Sequence, residues 1–177
     1  MDIRKRANLW RIVISCMSVM LLQLNSPFVH ADGDETLGPP SVFIESGTGI
    51  AAAGVGLSLT QPGTINIDVP AGATVNQVLL YWEGRHGLLP PSEGDNTATV
   101  NGTEVTGVLI GKAASGSADS SAYRADITSL GAVTAGSNSV AIGGVSFTVN
   151  HGAGIVVIFD DSSADPAAID LRDGNDF

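Results

Sequence analysis

His86 and His151 are the residues of this chain best suited to acid–base work, because an imidazole titrates near neutral pH. With Asp160 as the orienting carboxylate, either would serve as the base of a secreted hydrolase. The surrounding sequence supplies none of the spacings that such chemistry uses. It has no His-x-x-x-His pair, no Gly-x-Ser-x-Gly elbow and no cysteine beyond Cys16. Both histidines sit in glycine-rich stretches, where a solvated imidazole is the plainer reading. The expectation is that this chain is not an enzyme.

Acidic residues make the next candidates. Asp160, Asp161 and Asp165, followed by Asp173, Asn175 and Asp176, offer hard oxygen ligands from loops, which suits calcium. Neither run has the spacing of an EF-hand or of a nonapeptide repeat, so a solvated turn is the competing reading. Calcium is the one cofactor the sequence suggests. Tyr81 and Trp82 could form a platform for sugar rings, but neighbours in a strand point to opposite faces. With Val78 and Leu80 on its own face, Trp82 belongs in the core, leaving Tyr81 as the outward ring. Arg124 and Asp126 stand two apart on one strand face and are expected to pair. Lys112 is the only lysine beyond the first 31 residues and lies next to a glycine- and serine-rich stretch, a poor setting for a buried cross-linking amine. Asn101-Gly102-Thr103 fits a glycosylation sequon, and Asn-Gly also marks a tight hairpin turn.

The elements that must position these residues begin after a leader. Arg4, Lys5 and Arg6 precede the apolar stretch 12–24, and Val29-His30-Ala31 places small residues where a signal peptidase would cut. This reads as a secretory signal peptide over residues 1–31. A lipid-anchored alternative at Cys16 would leave the apolar 17–24 on the mature chain. Residues 32–40 form a polar lead-in closed by Pro39-Pro40, and 41–177 form one domain. Four basic and seventeen acidic residues follow Ala31, a net charge of −13. That balance argues against nucleic acid as a partner, since phosphates are met by Lys and Arg. No stretch after the leader is long enough to span a bilayer as a helix.

Apolar residues alternate with polar ones along most of the domain, which is the strand signature. Val55, Leu57 and Leu59 form one such set; Ile65, Ile67 and Val69 a second; Val145, Phe147 and Val149 a third. Weaker sets lie at Val105, Val108 and Ile110, at Tyr123, Ala125 and Ile127, and at Val140 and Ile142. Residues 78–82 and 155–159 are apolar on both faces and should run through the middle of their sheets. Residues 111–121 read as a mobile loop. Nine or ten short strands with no helices between them predict an all-β, two-layer antiparallel β-sandwich of jelly-roll type. The segment from Ile169 to Gly174 reads as a strand entering a turn, so the domain is expected to be incomplete at its C-terminal end.

Several phrases occur together in order: 69–75 (VPAGATV), 78–84 (VLLYWEG), 123–130 (YRADITSL), 152–158 (GAGIVVI) and the Asp-Gly phrase near the end. In this combination the chain resembles the N-terminal jelly-roll-like β-sandwich module of large bacterial secreted and surface proteins, adhesin-like and repeat-bearing. The resemblance covers most of 49–177. It implies a non-catalytic module at or beyond the cell surface, structural or adhesive, whose partners are extracellular proteins or glycans. It carries no established catalytic residues.

Overall fold

The computed structural model describes residues 37–87, 94–115 and 118–175, with the side chains at 114, 115 and 118 left aside. The expected signal peptide over residues 1–31 with Cys16, the expected lead-in up to Thr36, and Asp176 lie outside the described residues. The chain divides into the units Met1–His30 and Ala31–Phe177, and the fold belongs to the second.

Nine strands follow in chain order: β1 Gly49–Gly56, β2 Gly63–Val69, β3 Thr74–Gly87, β4 Thr97–Val100, β5 Thr103–Thr106, β6 Val108–Ser115, β7 Ala118–Asp126, β8 Gly136–Gly143 and β9 Val149–Asp160. One 3-10 turn, Thr128–Leu130, is the only helical element among the described residues. The strands form a five-stranded sheet ordered β1-β9-β3-β7-β6 and a four-stranded sheet ordered β2-β8-β4-β5. Every pairing is antiparallel. With β6 set aside as an added edge, two four-stranded layers remain, and consecutive strands β1–β2, β3–β4 and β8–β9 cross from one layer to the other. That is jelly-roll order, as the strand pattern predicts. The two doubly apolar segments, in β3 and β9, lie inside the five-stranded sheet, each with a neighbour on both sides.

The core lies between the layers. Leu80, Trp82, Tyr123, Ile155 and Val157 of the larger sheet meet Ile65, Val100, Val140 and Ile142 of the smaller one, all nearly or fully removed from water. Trp82 stacks on Tyr123 with ring centres 5.8 Å apart, and its indole N–H donates to the Asp95 carbonyl at 2.9 Å. Burying so large a ring is favourable because its one polar group keeps a partner.

Three strand expectations need correction. Val145 and Phe147 are buried as the alternation requires, yet their segment joins no ladder, and β9 starts only at Val149. Side chains bond this backbone instead. Gln61 bonds both the N–H and the carbonyl of Val145, Asp95 accepts from the Ser146 N–H, and Asn150 accepts from the Phe147 N–H. Apolar alternation reports which side chains are buried, not which backbone groups bond across strands. Near the start of the domain, the strand covers Gly49–Gly56, and Leu59 is 94 % exposed beyond it. Small residues hid that strand, since Ala and Gly give almost no contrast between faces. The same reason reverses the expected loop at 111–121, whose described residues continue β6 and enter β7. The Asn101-Gly102 hairpin stands as expected, with φ of 49° and 83° joining β4 to β5.

The outer face of the five-stranded sheet is partly covered by the two flanking segments of the domain. Gly38 and Asp173 exchange two backbone hydrogen bonds of 2.8 Å, and the Ala167 N–H donates to the Gly47 carbonyl. Beneath them Leu79 and Ile158 are completely buried, although they point away from the main core. Gln77 ties the cover down by donating to the Phe43 carbonyl and accepting from the Glu45 N–H.

Candidate functional site

β3 is central, so the residues on its outer face stand in the middle of the sheet's exposed side. Val78, Leu80 and Trp82 face the core, which turns Leu79, Tyr81 and Glu83 outward. The flanking segments cover Leu79, and Asp173 to Asn175 run along the β7 side of the other two, leaving both partly exposed. Tyr81 lies opposite Gly154 of β9 and Arg124 of β7; Glu83 lies opposite Gly152 and Ala122. One strand further out, Gly54 and Gly56 of β1 lie opposite Gly154 and Gly152. Four glycines therefore leave bare backbone beside Tyr81 and Glu83. An open groove of about 420 Å³ results, with Gly152, Gly154 and Ala122 as its floor and Tyr81, Glu83 and Asn175 at its sides.

A β-bulge adds a further group. Glu83 pairs with Gly152, but Gly84 pairs with Asn150, so His151 is the extra residue. Bulges re-aim side chains and recur beside functional sites. Here the bulge brings His151 Nδ1 to 3.4 Å from Glu83 Oε1, with both side chains about one-third exposed. Burial raises the pKa of the Tyr81 phenol above its ordinary value, opposed by the positive charge of Arg124. The phenol thus stays protonated and able to donate through the neutral range.

The remaining candidates are dispersed. Trp82 fills the core and does not present its ring outward. His86 is on the inner side, 4 % exposed, bonded to Ser121 Oγ at 2.8 Å and stacked on Phe147. Asp160 lies nine residues from His151 along β9, roughly 30 Å at strand rise, so no hydrolase pair forms between them. Asp160 accepts from Asn76 at 2.7 Å, and Asp161 caps a local turn by accepting from the N–H and hydroxyl of Ser163. The two Ser163 bonds, backbone first, lower the Asp161 pKa. Asp165 is exposed, and Asp173 is buried on the sheet face. Among the described residues no three His, Cys, Asp or Glu side chains gather in a way that could hold a metal ion. Lys112 sits in β6 opposite Ser121.

Arg124 does not pair with Asp126 as its neighbour. Its guanidinium meets the carboxylate of Asp173 and donates to Ser41 Oγ at 3.0 Å, while 3 % exposed. Asp126 instead accepts from Gln77 at 2.8 Å and from both the hydroxyl and the N–H of Thr128. Burial on its own would raise the Asp126 pKa; the Thr128 and Gln77 hydrogen bonds and the Arg124 charge outweigh it and lower the pKa. Sequence reasoning singled out Tyr81 and His151 but missed Glu83. Its position two residues from Tyr81 on the outward face was the available signal.

Fold and site together define a jelly-roll sandwich with an open, mixed polar and aromatic groove on one sheet face. Compared with family models, with curated proteins and with solved structures, the chain matches none. No helix of the described residues is long and apolar enough to cross a membrane.

Proposed function

We propose that this chain is a secreted, non-catalytic β-sandwich module of a bacterial surface or extracellular protein, and that it binds its ligand in the groove beside Tyr81 and Glu83. The observation that carries this reading is the glycine-floored groove on a sheet face partly covered by the flanking segments. An aromatic ring, a carboxylate acceptor and flat bare backbone favour a glycan, whose ring C–H face packs on an aromatic side chain while its hydroxyls donate to a carboxylate. The burial of His86 and the separation of His151 from Asp160 speak for binding without turnover. The resemblance to modules of large bacterial surface proteins supports the exported setting.

A glycan array probed with the exported protein tests the reading. Tyr81→Ala is expected to abolish binding while leaving the melting temperature within a few degrees, because the ring lies outside the main core. Binding that survives Tyr81→Ala and Glu83→Gln together would move the site elsewhere, and reproducible turnover of a bound glycan would overturn the non-catalytic reading.

A further inference from the structure

The sheet edges are not alike. An edge strand presents unpaired N–H and C=O groups, and proteins usually blunt such edges with charges, prolines, bulges or brevity. β5 has four residues and carries Glu104; β6 carries Lys112 and a register break between Leu109 and Gly111. β2 carries Asp68 and is bracketed by Pro62 and Pro70. β1 has none of these devices. It runs for eight residues without charge or proline, in unbroken register with β9.

The Leu57 N–H donates to the His151 carbonyl, which makes the odd-numbered residues of β1 the ones bonded to β9. The N–H and C=O of Ile50, Ala52, Gly54 and Gly56 therefore point away from the sheet. All four residues are exposed, and among the described residues their backbone groups have no partner outside the sheet. These four positions are symmetric about Ala53. In an antiparallel pairing of β1 with itself, Ile50 meets Gly56 and Ala52 meets Gly54. Every outward group finds a partner, in eight hydrogen bonds, and the exposed Ile50 side chain, 51 % accessible, lies beside a glycine.

We infer that the β1 edge is a self-association surface, on which a second copy of this chain adds its own β1 antiparallel about Ala53. The two five-stranded sheets then become one sheet of ten. Charge favours this edge over the others. Two chains at −10 each, or −13 once residues 1–31 are removed, repel, yet residues 46–67 contain no charged side chain. The pairing also brings the partner's Ile50 and the partner's Ala52 next to Gly56 and Gly54, one strand beyond the groove's Gly152 and Gly154.

Light scattering on the purified protein, from about 1 µM to about 1 mM, should show a concentration-dependent dimer, because a single strand edge is a small interface. Ala52→Pro removes an outward N–H and leaves the β9 ladder intact, so it should raise the dissociation constant by at least ~10-fold. Ala52→Lys should do the same by charge repulsion, should the proline disturb folding. Thr106→Lys on the β5 edge should change nothing. With Cys16 replaced by Ser, Ala53→Cys should form an intermolecular disulfide, since the two copies of residue 53 face each other in a non-hydrogen-bonded pair. A monomer across the whole range, a dimer indifferent to both Ala52 variants, or an Ala53→Cys protein that fails to cross-link would each overturn the inference. Loss of glycan binding with the dimer intact would count against the groove alone.

Discussion

Replacing Asp173 by Asn removes the charge that neutralises Arg124 without changing the shape of the side chain. Arg124 is 3 % exposed and Asp173 8 %, so the guanidinium cannot turn to water when its partner is lost. Breaking one side of a buried pair costs about 3–5 kcal/mol. The Ser41 hydroxyl and the amide oxygen introduced at position 173 would still accept from Arg124, which places the expected loss near the lower end, about 3 kcal/mol. For a domain of this size that corresponds to a fall of roughly 10 °C in the melting temperature. Denaturant titration at neutral pH gives the free energy and calorimetry the midpoint. The second half of the test replaces the pair with apolar residues. An Arg124→Met, Asp173→Leu double variant should recover to within about 1 kcal/mol of the wild type, because no unpaired charge is then buried. An Asp173→Asn protein within about 1 kcal/mol of the parent would refute the reasoning. A double variant no better than the single one would refute it too. Exchange of the Gly38 amide, bonded to the Asp173 carbonyl, should quicken with the single substitution and serve as a local readout.

Further predictions concern the inner face, acid stability and calcium. A Cβ added at Gly84 would stand 2.4–2.7 Å from Phe147, so Gly84→Ala should cost about 1–3 kcal/mol, read by denaturant midpoint. Asp126 has a lowered pKa in the fold, so its contribution is present above the unfolded carboxylate value and fades as pH falls through the folded one. Asp126→Asn should therefore destabilise at pH 7 by about 1 kcal/mol, with the gap to wild type closing below about pH 4. Because the described acidic residues do not converge, adding calcium and then a chelator should leave the melting temperature unmoved; a rise of several degrees with calcium would point to a site completed elsewhere in the chain.

The layered fold was legible because most strands contrast two faces. Ile65, Ile67 and Val69 announce β2, and the doubly apolar 78–82 and 155–159 announce strands with neighbours on both sides. β1 was read too far along because Ala51, Ala52 and Ala53 look the same on either face. Phe147 carried a core signal without a ladder, and no local pattern could reveal that Gln61, Asp95 and Asn150 side chains would bond that backbone. The partner of Arg124 was invisible for a different reason. Proximity in sequence favours Asp126, whereas the fold brings Asp173 across from the far end of the domain. In the groove, the outward direction of Tyr81 followed from the direction of Trp82, but the turning of His151 toward Glu83 depends on a single-residue bulge that sequence alternation does not encode.

The backbone bridge between Gly38 and Asp173 has a mechanical meaning. Tension arriving through both flanks of the domain would meet two hydrogen bonds lying across an antiparallel contact, in the unzipping direction, before it reached any sheet ladder. The clasp and the buried Arg124 pair beneath it would give way first, leaving the sandwich folded. A chain pulled from both ends would thus lengthen by its flanking segments at low force, and the groove would lose its Asn175 wall while Tyr81, Glu83 and the glycine floor stayed in the sheet.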